Sequence, residues 1–232
     1  MTKDLVLIVE DDPAISKMLH YILKQDGYKC IISENLKNAL RTFQTHNPEI
    51  ILLDLGLPDG DGKSFIKTVR KETTIPIIIV SARHDEHEIV AALDAGADDY
   101  VIKPFSDIEL SARIRSAQRR SIGVSPSHDT IVCGDIILEH DALVAYKKGV
   151  ALNLTPTEFN LLKYFMTHPN QVLTHANVLK EVWGVGYQNE MHYLRTFVNS
   201  LRKKIEDDSS RPHYIVTQMR VGYRFNCENE KL

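Results

Sequence analysis

The stretch IILLDLGLPDGDG, residues 50–62, decides the fold of the first half of this chain. Its first four residues are apolar, and a proline and three glycines follow within nine residues. Such a short apolar run, bounded by turn-forming residues, is typical of a strand buried on both faces of a parallel sheet. Asp54 stands at the end of this strand, where open α/β sheets have their ligand crevice. Alone, it is most simply an exposed residue at a strand end, so its role depends on its neighbours.

Short apolar strands alternate with amphipathic helices on both sides of this stretch. Strands are predicted at residues 5–9, 30–32, 50–53, 77–80 and 100–102. Helices are predicted from Pro13 to just before Gly27 and at residues 36–43, 65–69, 89–93 and 108–117. This strict alternation predicts an α/β domain built on a five-stranded, doubly wound parallel sheet.

Charged and hydroxyl side chains follow four of these strands. Glu10 and Asp11 come after the first strand, Asp54 after the third, Ser81 after the fourth and Lys103 after the fifth. Because the carboxyl ends of parallel strands meet at one edge of the sheet, we expect these side chains to converge on Asp54. Three clustered carboxylates repel one another, and a hard divalent cation such as Mg²⁺ relieves that repulsion. The set therefore predicts phosphoryl transfer onto Asp54, with the cation and Lys103 neutralising charge.

Four motifs contain these residues: LIVEDD, LLDLGLPDGDG, VSAR and GADDYVIKPF. On these motifs, residues 3–120 closely resemble the receiver domain of two-component response regulators. The resemblance implies that a sensor histidine kinase phosphorylates Asp54 and that Lys103 and Ser81 assist the transfer. It also implies a switch in which Tyr100 moves into the space that Ser81 leaves. The implied Mg²⁺ ligands are Glu10, Asp11, Asp54 and the backbone carbonyl of Gly56.

Opposite charges lie around the last strand and last helix of this half. Such patches can complement each other across the axis of a two-fold dimer. The resemblance implies that phosphorylation promotes a homodimer through this face, although Ile89 stands where the family usually has a basic partner for Glu109. Ordinary surface ion pairs are the alternative interpretation. The predicted dimer face consists of Asp94, Asp98, Asp99, Glu109, Arg113 and Arg115.

The second half has a different pattern, and a small polar segment at residues 121–129 separates it from the first. We predict a receiver domain at residues 1–120, a linker at 121–129 and a second domain at 130–228. Four short strands at 131–133, 136–138, 143–146 and 150–152 predict an antiparallel sheet. Three helices follow, the first two capped by Thr155 and Thr174 and the third at about residues 190–206, before a hairpin at 213–218 and 222–226. This predicts an α+β domain.

The third helix of this domain has one apolar face and one polar face. Its polar side carries arginine and asparagine, the side chains that read guanine and adenine edges in a major groove. A solvated helix surface is the alternative explanation. The hairpin after it has the shape of a wing, which would bring Arg220 to a phosphate or a minor groove.

This half resembles the winged-helix DNA-binding domain of the same regulators, on the motifs LTPTEFNLL, LRKKIE and VGYRF. The segments HYLRTFVNSLRKKIE and RPHYIVTQMRVGYRF are most similar to the potassium-responsive Kdp regulators, which partner a membrane sensor kinase and control a potassium-transporting ATPase. The resemblance implies that the loop at residues 183–188 contacts RNA polymerase. It implies contacts to double-stranded DNA from His192, Arg195, Asn199, Arg202, Lys203 and Arg220.

Composition limits the other possibilities. Lys plus Arg against Asp plus Glu is 16 against 19 up to Ile122 and 12 against 12 after it, so a DNA-binding site must be local rather than global. No apolar run approaches a membrane span and the first residues do not resemble a signal peptide, so we expect a cytoplasmic protein. The three cysteines lie far apart, without CxxC spacing, and are expected to be thiols.

Two further functions remain open from the sequence. A phosphatase that turns over through an aspartyl-phosphate commonly needs a second aspartate two residues after the nucleophile, where this chain has Gly56. The other is a protein-interaction module whose receiver is not phosphorylated, against which the intact acids, Ser81 and Lys103 argue. A flavin site would rest on sheet topology alone. We therefore predict no enzyme beyond the receiver's own phosphoryl transfer and dephosphorylation.

Overall fold

The computed structural model describes residues 4–121, 130–140, 142–184, 186–187 and 190–227, without the side chains of 119–121. The chain divides into two compact units, Met1–Ser121 and Ile122–Leu232, which are treated separately below. The predicted linker, residues 121–129, lies outside the described residues apart from the backbone of its first residue. Among the helices of the described ranges, none combines the length and apolar character needed to cross a membrane.

The first unit is a parallel sheet with helices between successive strands, as predicted. Its strand order is β2-β1-β3-β4-β5, and every pair is parallel. The elements are β1 (Leu5–Val9), α1 (Pro13–Gln25), β2 (Lys29–Ser33), α2 (Leu36–His46), β3 (Ile50–Leu53), α3 (Gly62–Val69), β4 (Ile77–Ser81), α4 (Glu86–Asp94), β5 (Asp99–Ile102) and α5 (Asp107–Ser121).

Burial and helix caps fix the ends of these strands. All residues of β3 and β4 are buried, which accounts for their continuously apolar sequences. The Asp12 carboxylate caps α1 by accepting from the Ala14 N–H at 2.7 Å, so it is not free to act in the acid cluster beside it. Asp61 caps α3 in the same way. Glu10, Asp11 and Asp54 lie in the loops between these strands and the capped helices, at the carboxyl edge of the sheet.

The second unit contains two antiparallel sheets and three longer helices among its described residues. One is the predicted antiparallel sheet of four strands, with the order β6-β7-β8-β9, and the other has the order β10-β12-β11. The elements are β6 (Thr130–Cys133), β7 (Ile136–Glu139), β8 (Val144–Lys147), β9 (Val150–Leu152), α6 (Pro156–Met166), β10 (Val172–Thr174), α7 (His175–Trp183), α8 (Met191–Ile205), β11 (Ile215–Gln218) and β12 (Gly222–Phe225).

Strand β10 was not predicted from the sequence, because three residues carry too little pattern. Its register pairs Thr174 with Gly222 of the hairpin. A Cβ on Gly222 would overlap the Leu173 carbonyl, so glycine at this position allows β10 and β12 to approach. The VGYRF motif is therefore part of a three-stranded wing sheet.

Two buried glutamates fix α8 within this unit. Glu158 completes a capping box at the start of α6, and its carboxylate also accepts from Ser200 and Lys204 of α8, at 2.6 and 2.5 Å. Glu206 accepts from the backbone N–H groups of residues 213–215 at 2.8 to 3.1 Å. The orientation of α8 relative to the wing is thus set by charge-assisted hydrogen bonds.

The expectation that all cysteines are thiols is wrong for this structure. Cys133, at the end of β6, and Cys227, just after β12, form a disulfide with a Cα–Cα distance of 5.3 Å. They are 94 residues apart in sequence, and only the fold brings them together. Cys30 is a free, half-buried thiol.

Candidate functional site

Four strands of the first unit bring their polar residues to one edge of the sheet. Glu10 follows β1, Asp54 follows β3, Ser81 ends β4 and Lys103 follows β5. Carboxylate oxygens of Glu10, Asp11 and Asp54 all lie within 4.8 Å of one another. Glu10 is buried, Asp54 is half-buried and Asp11 is exposed, so the cluster is open to solvent on one side. The structure thus brings together the residues that the sequence predicts to converge.

Lys103 connects two of the three carboxylates. Its Nζ donates to Glu10 Oε2 and to Asp54 Oδ2, both at 2.7 Å. The second oxygen of Asp54 accepts from the Gly56 N–H at 3.0 Å. A Cβ on Gly56 would lie 3.7 Å from Asp54 Oδ1. Glycine here therefore keeps the space beside the carboxylate clear of a side chain.

These contacts shift the pKa values of Asp54 and Glu10 in opposite directions. Burial tends to raise the pKa of Asp54, but hydrogen bonds from Lys103 and the Gly56 N–H outweigh it and hold the pKa below its ordinary value. Burial raises the pKa of Glu10, and Lys103 offsets this only in part. Although burial alone would lower the pKa of Lys103, its bonds to Asp54 and Glu10 raise it. Asp54 is accordingly ionised at neutral pH, as a nucleophilic carboxylate must be.

The cluster also fits a hard divalent cation. Its three carboxylates supply oxygen ligands, which Mg²⁺ prefers, and exposed Asp11 leaves room for the water molecules that Mg²⁺ retains. The Coulomb repulsion within the cluster is only partly neutralised by the single charge of Lys103.

The two predicted switch residues are both inside the protein. Ser81 and Tyr100 are 1% and 2% exposed. Ser81 is the last residue of β4, and Tyr100 lies on the neighbouring strand β5. The Tyr100 hydroxyl donates to the Arg83 carbonyl oxygen at 2.8 Å. Tyr100 thus already occupies an inward position in this structure, and its movement on phosphorylation stays a prediction.

Sequence reasoning gave Arg83 no structural partners, although it flanks the site. Its Nη1 pairs with Glu88 at 3.0 Å, and its Nη2 donates to the Leu55 carbonyl, next to Asp54, at 3.4 Å. Lys63 of α3 binds the same Glu88 oxygen at 3.1 Å. Arg83 therefore contacts the loop after Asp54 and the start of α4 with its side chain, and Tyr100 with its own carbonyl.

The predicted dimer face is only partly exposed. Asp98 and Asp99 are completely buried, in contrast to the surface position expected from the sequence. Asp98 accepts from Arg70 Nη2 at 2.6 Å and from the Ile77 N–H at 3.0 Å. Asp99 accepts from Arg113 at 3.1 Å, and Arg113 also binds Glu109. Asp94, Glu109 and Arg115 are exposed.

Helix α8 presents the predicted DNA-binding side chains on the face opposite its core residues. Leu194, Val198 and Leu201 are fully buried. Arg195, Asn199 and Lys203 are exposed, and His192 is half-buried at the start of the helix. The three exposed residues are spaced by four, so they form one stripe along α8.

Arg202 differs from its neighbours on α8. The sequence predicts a DNA contact, whereas Nε and Nη2 of its guanidinium donate to the Ile215 carbonyl at 3.0 and 2.6 Å. Nη2 also donates to Thr217, and the guanidinium lies 5.8 Å from the centre of the Tyr223 ring. In this structure Arg202 attaches α8 to the wing sheet.

Arg220 stands at the exposed tip of the wing with a φ of 62°. This left-handed conformation costs about 1–2 kcal/mol for a residue with a Cβ, and glycine would adopt it freely. Met219 beside it is 88% exposed. The Arg220 side chain is exposed as well, so it is accessible to a binding partner at the tip of the wing.

The loop predicted to contact RNA polymerase is only partly described. Trp183 is 1% exposed and packs on Phe197 with ring centres 5.2 Å apart, as a core residue does. Residues 185 and 188 of this loop lie outside the described ranges.

Two family models match the chain. The response regulator receiver domain matches residues 6–115, and the C-terminal domain of transcriptional regulatory proteins matches residues 149–225. The KDP operon transcriptional regulatory protein KdpE of Escherichia coli (strain K12) is 41% identical over 220 residues, covering 95% of this chain and 98% of that protein. KdpE of Mycobacterium tuberculosis (strain ATCC 25618 / H37Rv) is 39% identical over 224 residues, covering 96% and 99%.

Solved structures agree with this architecture. DrrB, a Thermotoga maritima OmpR/PhoB homologue, is 27% identical with a TM-score of 0.51, covering 96% of this chain and 98% of DrrB. A mutant of RitR has a TM-score of 0.78 at 22% identity, covering 97% of this chain and all of that one. The second likeness concerns the fold alone.

Proposed function

Because the chain belongs to the OmpR/PhoB-type family of response regulators, which join a receiver to a DNA-binding domain, we propose that phosphorylation of Asp54 by a sensor histidine kinase controls its regulation of transcription. The observation that carries this proposal is the cluster in which Lys103 donates to both Glu10 and Asp54, with Asp11 within 4.8 Å of both acids. Acids and a lysine in this arrangement suit phosphoryl transfer to a carboxylate.

The transfer would proceed by attack of an Asp54 oxygen on the phosphorus of a phosphohistidine. The new O–P bond forms as the P–N bond breaks, and the histidine ring leaves with the electron pair. Lys103, already hydrogen-bonded to Asp54 Oδ2, would neutralise negative charge on the phosphoryl oxygens during the transfer. Ser81 would hydrogen-bond one of these oxygens. The same site would catalyse only this transfer and the later hydrolysis of the acyl phosphate.

We propose that Glu10, Asp11, Asp54 and the Gly56 carbonyl hold Mg²⁺ in this site. When bound, the ion would neutralise charge on the transferring phosphoryl group. The proposal rests on the three converging carboxylates and the solvent-exposed position of Asp11.

The Mg²⁺ site predicts an effect of Asp11→Asn. The exposed carboxylate contributes little to folding, but its loss removes one charged ligand, so Mg²⁺ affinity should fall about tenfold or more, the equivalent of ~1.4 kcal/mol. Isothermal titration of the receiver site in the full chain measures this. Asp12→Asn is the matched control, because asparagine also caps helices and the Asp12 carboxylate is engaged by α1. Equal weakening by both variants would count against ligation by Asp11.

We propose that the DNA contacts come from two places, the exposed stripe along α8 and the tip of the wing. Arg195, Asn199 and Lys203 would face the major groove, with His192 at the start of the same helix. Arg220 would reach a phosphate or the minor groove from the wing. The intramolecular bonds of Arg202 assign it first to positioning the wing against α8, with its predicted DNA contact secondary.

Dimerisation on phosphorylation would strengthen DNA binding, since each module gains effective concentration from its partner. We propose that the dimer forms through the face that carries Asp94, Glu109 and Arg115. We also propose that the loop that begins at Trp183 contacts RNA polymerase. The names of the KdpE relatives further suggest genes of potassium transport as targets. The cytoplasm, where kinase and DNA meet the regulator, is the proposed location.

Binding to promoter DNA tests this function. In the presence of Mg²⁺, the full chain should bind DNA fragments from upstream of potassium-transport ATPase genes more tightly than shuffled DNA fragments of equal length. A small phosphoryl donor such as acetyl phosphate should tighten that binding. Equal retention of both fragments, with or without the donor, would contradict the proposed control of transcription.

The variant that isolates the wing in this assay is Arg220→Gly. Glycine adopts the φ of 62° without strain, so the folded domain should be no less stable than the wild type. Loss of one phosphate contact should weaken DNA binding at physiological salt and reduce the slope of log affinity against log salt by about one. Unchanged affinity and slope would remove Arg220 from the interface.

A further inference from the structure

The disulfide between Cys133 and Cys227 lies outside the phosphorylation and DNA-binding residues described above. It joins the first described strand of the winged-helix unit, β6, to the segment that follows its last strand, β12. Cys133 is 1% exposed, and Cys227 is half-buried. We infer that these two cysteines form a reversible redox site, which a peroxide closes and a thiol reductant opens, and that the closed form stabilises the winged-helix unit.

Both cysteines are held in place by bonds that do not involve sulfur. The Cys227 N–H donates to Asn170 Oδ1 and the Cys227 carbonyl accepts from Asn170 Nδ2, each at 3.0 Å. Cys133 is fixed by strand pairing with Ile136 of β7. The Cα–Cα distance of 5.3 Å is within the range that disulfides span. The reduced thiols would therefore stay close enough together to form the disulfide on oxidation.

Hydrogen bonds beside the disulfide support the same region of the unit. The Tyr214 hydroxyl, from the segment before β11, hydrogen-bonds the Asp135 carboxylate in the turn after Cys133. Asn226, next to Cys227, donates its N–H to the Tyr214 carbonyl at 2.8 Å and its side-chain amide to the His213 carbonyl at 2.9 Å. The Tyr214–Asp135 bond crosses from the first sheet to the wing, and the two Asn226 bonds hold the wing segment beside Cys227; because none of them involves sulfur, all remain when the disulfide is reduced. Reduction is thus expected to leave the domain folded, which a reversible site requires.

The oxidation proceeds in two steps. The more accessible Cys227 sulfur attacks the peroxide, whose O–O bond breaks, giving a sulfenic acid and releasing an alcohol or water. The Cys133 sulfur then attacks the sulfenic sulfur, so that the S–S bond forms, the S–O bond breaks and water leaves with the thiol proton. Two electrons pass from the thiols to the peroxide. A thiol reductant reverses the step by exchange through a mixed disulfide.

Cys30 provides an internal control in the other unit. It has no cysteine partner among the described residues. Burial raises the pKa of the Cys30 thiol to about 11, which keeps it protonated and slow to react with peroxide at neutral pH. Cys30→Ser should therefore leave the redox behaviour of the winged-helix unit unchanged.

Thiol counting tests the site in the full chain. Reduced protein is treated with dilute hydrogen peroxide, then denatured and alkylated with N-ethylmaleimide, and its mass is measured. Wild type should carry one adduct instead of three, and the Cys30→Ser variant none instead of two. Cys227→Ser should carry two in both states. Three adducts on oxidised wild type, or a cross-link to Cys30 or to a second chain, would overturn the inference.

Thermal unfolding of oxidised and reduced protein tests the consequence. The disulfide closes a loop across 94 residues, so it should shift the unfolding of the winged-helix unit upward by roughly 10 °C and leave the receiver transition in place. Cys227→Ser should abolish the shift, whereas Cys30→Ser should retain it. If a serine variant fails to fold, the unfolding temperatures of wild type with and without reductant still test whether the disulfide stabilises the unit. Identical transitions in both redox states would refute the stabilising role.

Discussion

Asp54→Asn should remove all phosphoryl uptake by the chain and all enhancement of DNA binding by a phosphoryl donor. The amide lacks the nucleophilic oxygen pair of the carboxylate, so no acyl phosphate forms. The variant should still fold, because Lys103 keeps its 2.7 Å bond to Glu10. Intact mass after incubation with acetyl phosphate and Mg²⁺ measures the uptake, and DNA retention under the same conditions measures the response.

Asp61→Asn is the control for this variant. Asp61 lies in the same loop and caps α3, a role that asparagine also fills, so the cap survives while one negative charge is lost. It should retain labelling and the DNA response. If Asp54→Asn is still labelled, the acceptor is another residue. If it loses the label but its DNA binding still responds to the donor, the receiver is not the control element.

A phosphomonoester substrate separates the regulator from a phosphatase. A regulator accumulates about one phosphoryl group per chain, whereas a phosphatase would release many equivalents of phosphate from a phosphomonoester. Gly56 stands where the phosphatases would carry a second acid, and its N–H instead donates to Asp54 at 3.0 Å. We therefore expect no multiple turnover from the wild type.

The receiver could be predicted from sequence because its signals are local. The apolar runs of β3 and β4 specify buried parallel strands, and parallel strands bring their carboxyl ends together. Convergence of Glu10, Asp54 and Lys103 follows from that topology alone. The bonds of Arg83 did not follow, because its partners Leu55 and Glu88 come from different elements whose distances the sequence does not give.

The second unit was less predictable where its contacts are long-range. Helical periodicity assigns Arg202 to the polar side of α8, but it does not reveal that the Ile215 carbonyl lies within reach. Strand β10 takes its identity from β12, about 50 residues later in the chain, rather than from its own three residues. The disulfide depends in the same way on a separation of 94 residues.

Asp98→Ala should destabilise the receiver by about 3 kcal/mol, which corresponds to a hundredfold or greater rise in the unfolded fraction. Asp98 is a buried acid whose partner Arg70 is itself only 11% exposed. Its removal leaves the guanidinium poorly compensated and frees the Ile77 N–H that Asp98 accepts at 3.0 Å. Urea unfolding of the receiver transition measures the loss. Asp94→Ala, at an exposed position, should change stability by less than about 0.5 kcal/mol.

The effect of Asp98→Ala also decides how this aspartate relates to the dimer face. If its role is the bond to Arg70, the double variant Arg70→Ala/Asp98→Ala should lose much less stability than the two single losses together. Arg70 also donates to the Gly96 and Ile75 carbonyls, so some loss from Arg70→Ala is separate from the pair. If Asp98 instead acts across a dimer, Asp98→Ala should weaken phosphorylation-dependent association while monomer stability stays unchanged. Because the carboxylate is fully buried and bonded within its own unit, we expect the first outcome.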